Sequence, residues 1–283
     1  MKSYCIKTDN ERIIEYLLNK ISKLEFPNIY YCEKSFKVYE NIVMHYKNDD
    51  IDKFQNVVAI LIVDTIRSFF EERILRRIIN VNYFYFDEFE RNLIYDDCGE
   101  FLKQDEVEIK ETLFTQVKQY IKENRNIVLE GVVNFRVGDY VKILDSIVDM
   151  AVNKYIIEKE YKEFINLLKI YVNSTCTKVD VMHLIYINGE SILLDKDKNI
   201  VKIDKNIGNT KYLSDITFSS NDIALNTLLN LLPSTLKIHI IDKEDEFINT
   251  LKLIFDNRIE ICKGCNICKT FSIKNEFFTL SSR

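Results

Sequence analysis

The chain has 283 residues, 47% of them hydrophobic, and a formal net charge of -5. That is enough apolar material for one large or two modest cores, while the acidic balance argues against nucleic acid and anionic membranes as partners. Six glycines and two prolines leave little for flexible linkers.

Residues 3–7 read as a short strand. The first eight residues hold no apolar stretch for a signal peptide, so a cytoplasmic chain is expected. Asp9 or Asn10 can cap a helix whose apolar positions, Ile13, Ile14, Leu17, Leu18 and Ile21, recur at helical spacing until Pro27 and Asn28. Two further strands follow, Ile29 to Cys32 and Phe36 to Tyr46, completing a small βαββ unit over 1–48.

A helical middle is expected over 49–175. One long helix, Ile51 to Asn80, is apolar on more than one face and so packed on several sides. Its longest unbroken apolar run, Val57 to Val63, is far shorter than the roughly 20 residues that cross a bilayer. Arg73, Arg76 and Arg77 near its end offer an anion or RNA contact, although cations at a helix C-terminus also complement the dipole of a solvated helix. Asp87 with Glu90 is a capping-box pattern, and Phe86 to Leu102 carries the next apolar stripe. A helix over Asp105 to Asn124 leads to the compact stretch Leu129 to Arg136. The longest helical period then runs from Asp139 to Tyr171, with a break expected near Ile156 to Glu160, where the charges change face. At the entry to this spine, Glu130, Asn134, Arg136 and Asp139 form a candidate polar network. It would pin the helix entry or hold a small polar ligand.

From Val179 the period changes to two. Asn188-Gly189 between two apolar runs is the signature of a type I′ hairpin. A third strand is expected over Ile200 to Ile203, a loop over 204–218, and a helix from Ser219–Asn221 to Leu232. Leu236 to Asp242, Glu244 to Phe255 and Arg258 to Cys262 then read as strand, helix and strand, with the two strands parallel. The fold expected is therefore α+β. It has the N-terminal βαββ unit, the helical middle, and a C-terminal part over 176–283 that joins a hairpin to a βαβ element and ends in a cysteine-rich tail.

That tail is the sharpest chemical signal. Cys262, Cys265 and Cys268 put three thiols in seven residues, with Gly264 free to let the backbone turn tightly. Seven cysteines is an odd number, which points to thiols or ligands rather than a disulfide framework. The trio can hold a zinc ion or start an iron–sulfur site, or act in thiol redox chemistry. A tetrahedral ion needs a fourth donor, and Asp242 at the end of the neighbouring strand is the first choice, ahead of His239, Cys176 or a partner's side chain. The spacing departs from a full ferredoxin run, because no fourth cysteine follows Cys268. The three histidines look isolated, and no complete catalytic motif is visible, so the reading leans away from an enzyme.

Three stretches together resemble the YtxC-like family of sporulation proteins: Asn82 to Phe86, Glu130 to Tyr140 and Glu158 to Tyr161. Cys262-Lys263-Gly264-Cys265 adds to the resemblance. The resemblance implies a cytoplasmic protein of a spore former, and the role expected for it is that of an accessory protein binding a protein partner. It carries no assigned activity, so no catalytic residue is transferred.

Overall fold

In the computed structural model, residues 2–24, 28–47, 50–201 and 219–272 are described. Pro27, the last two residues of the strand expected over Ile200 to Ile203, and the 204–218 loop lie outside them. Two compact units divide the chain, Met1–Glu158 and Lys159–Arg283.

The first unit begins with strict alternation. In β1 (Lys2–Thr8) Tyr4, Ile6 and Thr8 are buried, while the residues between them are half-buried. Asn10 caps α1 (Glu11–Ser22) by accepting from the backbone N–H of Arg12. Next come β2 (Ile29–Ser35) and β3 (Glu40–Tyr46), antiparallel to each other, with β3 antiparallel to β1. The expected βαββ unit is present. Its sheet also gains a fourth strand, β4 (Asn126–Val128), parallel to β1, in the order β2-β3-β1-β4.

Six helices follow among the described residues, the last of them running on past Glu158. The helix expected over 51–80 is two helices, α2 (Ile51–Phe69) and α3 (Glu71–Asn82), parted at Phe70. α2 buries Phe54, Val58, Ala59, Leu61, Ile62, Val63 and Ile66, as an all-round apolar pattern requires. α3 buries only Ile74, Leu75, Ile78 and Ile79 and leaves its arginines outside. α4 (Glu88–Gln104) opens with the Asp87–Glu90 capping box, both bonds of which are made. α5 (Glu106–Glu123) buries Ile109, Leu113, Val117 and Ile121. After β4 come α6 (Leu129–Phe135) and α7 (Gly138–Ser174). α7 is continuous through the Ile156–Glu160 stretch where a break was expected. A change of charged face interrupts no backbone hydrogen bond, and the stretch holds no Gly or Pro that would.

The second unit has its own core. β5 (Val179–Ile187) and β6 (Glu190–Leu194) form the hairpin, with Asn188 at φ 54° and Gly189 at φ 78° as a type I′ turn demands. Beyond β6, Ile200 makes one isolated bridge to Leu194. α8 (Ser220–Leu231) carries a Ser219–Asp222 capping box. β7 (Pro233–Ile240), α9 (Glu246–Phe255) and β8 (Ile259–Ile261) form the βαβ element, and β7 and β8 are parallel as expected. The hairpin and this element share one sheet, in the order β6-β5-β7-β8, because β5 also pairs with β7 in parallel.

Candidate metal centre

Alternation along β7 separates two chemistries. Leu236 and Ile238 point into the core with Leu184, Leu228, Leu251 and Phe255. Lys237 and His239, one residue out of step, belong to the opposite face. Strand pairing sets His183 of β5 opposite Lys237 and Glu260 of β8 beside it. Cys262 continues the β7–β8 ladder by one bond, its N–H donating to the carbonyl of Ile238 at 2.9 Å. Residues 266–272 are helical after the bend at Lys263-Gly264, where Gly264 takes φ 113°.

This geometry gathers His239, Cys262, Cys265 and Cys268, with one donor atom from each, all within 4.8 Å of one another. The Cys268 sulfur stands 3.7 Å from that of Cys262 and 3.9 Å from that of Cys265. His239 Nδ1 stands 3.4 Å from the Cys268 sulfur and 3.5 Å from the Cys265 sulfur. His239 is buried and the three thiols are half-buried. A cavity of about 380 Å³ opens beside them, lined in part by Lys198, Lys237, Glu260, Cys262 and Cys265.

The imidazole of His239 is itself held. Its Nε2 lies 2.9 Å from Nδ1 of His183, and the two rings stack at 5.2 Å. If His239 Nε2 carries the proton and donates it to His183, Nδ1 is left as a bare lone pair facing the sulfurs. Burial holds the His239 pKa below the ordinary histidine range, helped by His183 and by the charges of Lys237 and Lys198. His183 is lowered by the same burial and lysines. Both effects favour the neutral rings that such a lone pair requires. Burial pushes the Cys265 thiol up. Hydrogen bonds from the backbone N–H groups of Cys268 and Ile267 and from the thiols of Cys262 and Cys268 bring it, on balance, below the ordinary cysteine range. The Cys268 thiol is raised, chiefly by burial.

The cysteine trio named from the sequence is thus brought together, and the fourth donor beside it is His239. Asp242 lies outside the group, where its carboxylate accepts from the backbone N–H of Asn188 at 2.6 Å. Cys176 is exposed and also outside it. His183 was missed. Counting register across β5 and β7 is the signal that finds it, and that needs the parallel pairing to be known.

The residues at the spine entry take different partners. Glu130 accepts from Thr8 Oγ1 at 2.5 Å, which ties α6 to the end of β1. Asp139 accepts from Gln116 and Lys142. Arg136 lies over the Tyr120 ring, 5.7 Å from its centroid, and among the described residues no carboxylate pairs with it. Asn134 is exposed. Of the α3 arginines, Arg76 binds Glu72 and Asn92 and lies over Tyr95, while Arg73 and Arg77 are exposed. No described helix is long and apolar enough to cross a membrane.

Comparison with known proteins adds a relation but no activity. "Uncharacterized protein YtxC" of Bacillus subtilis (strain 168) is 21% identical over 157 residues, 54% of this chain and 54% of that protein. The chain spans about half the length of that relative. No solved structure matches. The YtxC-like family matches residues 56–260, a stretch that takes in His183 and His239 and stops short of Cys262. With well over half of its length so matched, the chain belongs to the YtxC-like family.

Proposed function

We propose that the second unit holds one zinc ion on His239 Nδ1 and the thiolates of Cys262, Cys265 and Cys268. We propose further that the chain is a cytoplasmic accessory protein of endospore formation that acts by binding a protein partner. The donor spacing carries the metal reading. Zinc–sulfur bonds of about 2.3 Å and zinc–nitrogen bonds of about 2.0–2.1 Å give tetrahedral edges of roughly 3.8 Å between sulfurs and 3.6 Å between sulfur and nitrogen. The pairs here measure 3.7 and 3.9 Å, and 3.4 and 3.5 Å. Four protein donors leave no open position, so a bound ion would brace the fold and not activate a substrate. A four-iron cluster suits the site less well. It places each thiolate on its own iron, and sulfurs already in contact leave no room for the cage between them.

The remaining parts of the proposal draw on other observations. All seven cysteines are free, which suits a reducing compartment. Phe84, Phe89 and Phe135 are exposed in the first unit, and exposed aromatic side chains are what partner surfaces favour. The link to spore formation rests on the family resemblance.

Protein purified without added metal is expected to carry one zinc per chain by elemental analysis, and the triple variant Cys262→Ser, Cys265→Ser, Cys268→Ser none. A folded wild-type chain that takes up no zinc, even on reconstitution, would sink the reading. His183→Ala removes the group that orients the His239 ring. It is expected to weaken zinc binding about 10–100-fold in competition with a chromophoric chelator. An unchanged affinity would remove His183 from the site.

A further inference from the structure

Within the cluster the thiols are not equivalent. The Cys268 sulfur is in contact with both others, at 3.7 Å from Cys262 and 3.9 Å from Cys265. Cys262 and Cys265 line the cavity beside the site, and Cys268 is not among its lining residues. A small oxidant entering by the cavity therefore meets Cys262 or Cys265 first, with Cys268 behind either one. We infer that Cys268 is the shared partner of an oxidisable dithiol, forming a disulfide with either Cys262 or Cys265 when a hydroperoxide reaches the site, and that this bond expels the metal. The metal half of the inference rests on the zinc reading above, and the disulfide half does not.

The chemistry balances with hydrogen peroxide as the oxidant. The sulfur of Cys262 or Cys265 attacks one peroxide oxygen. An S–O bond forms, the O–O bond breaks, and hydroxide leaves and is protonated to water. The Cys268 thiolate then attacks the resulting sulfenic sulfur. The S–S bond forms, the S–O bond breaks, and a second hydroxide becomes water. Two thiolates, one peroxide and two protons give one disulfide and two waters, with two electrons passing from sulfur to oxygen. A disulfide bond is about 2.05 Å long, so either pair must close by less than about 2 Å. A disulfide no longer offers thiolates to the ion, which is left with one thiolate and His239. Gly264, at φ 113° and with nothing within 4 Å of where a Cβ would stand, lets the 262–265 bend adjust.

The test treats the full-length zinc-loaded chain with hydrogen peroxide. It follows released zinc with a chromophoric chelator and maps disulfides by peptide mass spectrometry. The expected result is zinc release in step with one disulfide per chain, with Cys268 at one end of every disulfide within 262–268. The single variants Cys262→Ser and Cys265→Ser are each expected to keep one such disulfide, and Cys268→Ser to form none. Because the mapping is also made on the wild-type chain, a variant that fails to fold does not decide the matter. A Cys262–Cys265 bond as the main product, or zinc-loaded protein that resists peroxide with no disulfide, would overturn the inference and leave the zinc reading standing. A chain that carries no zinc yet forms the Cys268 disulfides would overturn the zinc reading and support the dithiol assignment.

Discussion

Removing the metal with a strong chelator is expected to lower the melting midpoint of the second unit by roughly 10–20 °C while the first unit's transition stays in place. An ion present at about 1,000 times its dissociation constant stabilises the state that binds it by about 4 kcal/mol. In a domain of this size that corresponds to a shift of this order. The weight falls on one edge of the sheet. β8 is three residues long, with Ile259 half-buried and Glu260 and Ile261 exposed, so apolar burial holds it poorly. Cys262 prolongs its ladder, and the cysteines after it fold residues 262–268 back towards His239. Without the ion, those groups have no common attachment. Hydrogen exchange should therefore show β8 and residues 262–272 losing protection first, while β5 and β7 keep theirs. The first unit is built on a core of different residues, so a chelator should leave it unmoved. Equal melting curves with and without chelator would contradict this account.

Phe54→Ala is expected to cost the first unit about 3–5 kcal/mol, a large share of the 5–15 kcal/mol that stabilises an ordinary domain. Phe54 is fully buried in α2. Its ring stacks on Tyr46 at 5.1 Å between centroids and meets Tyr4 at 5.4 Å. Tyr4 also accepts from Gln55 Nε2 through its hydroxyl at 2.9 Å, so this aromatic group joins β1, β3 and α2. Alanine leaves a cavity under the sheet that Tyr4 and Tyr46, held in neighbouring strands, cannot easily fill. Urea unfolding should show the midpoint falling with little change in slope. A loss below about 1 kcal/mol would mean that the site collapses around the gap. Zinc content should not change, since every donor lies in the second unit.

The parts of the fold legible in the sequence are those set by local patterns. The βαββ opening, the Asn188-Gly189 hairpin, the Asp87–Glu90 capping box and the parallel β7–β8 pair all follow from spacing and caps within short windows. What was missed depends on partners far along the chain. β4 has only three residues, too few for a period of two to emerge, and it is a strand because β1 pairs with it. The parting of α2 from α3 falls at Phe70, which is neither Gly nor Pro and gives no local warning. The site divides in the same way. Three cysteines at close spacing announce themselves. His239 could be named only as one of several fourth donors, because its place beside Cys262 comes from the pairing of β7 with β8. Asp242, at the expected strand end, turns instead to the backbone of the hairpin at Asn188.

X-ray absorption at the zinc edge of the purified full-length protein tests the central claim most directly, since it reads the ion's own neighbours. The account predicts one shell of three sulfurs at about 2.3 Å and one nitrogen at about 2.0–2.1 Å, with no second metal nearby. His239→Ala should remove the nitrogen contribution. A shell made of oxygen and nitrogen alone, or a spectrum unchanged when Cys262, Cys265 and Cys268 are replaced by serine, would contradict it.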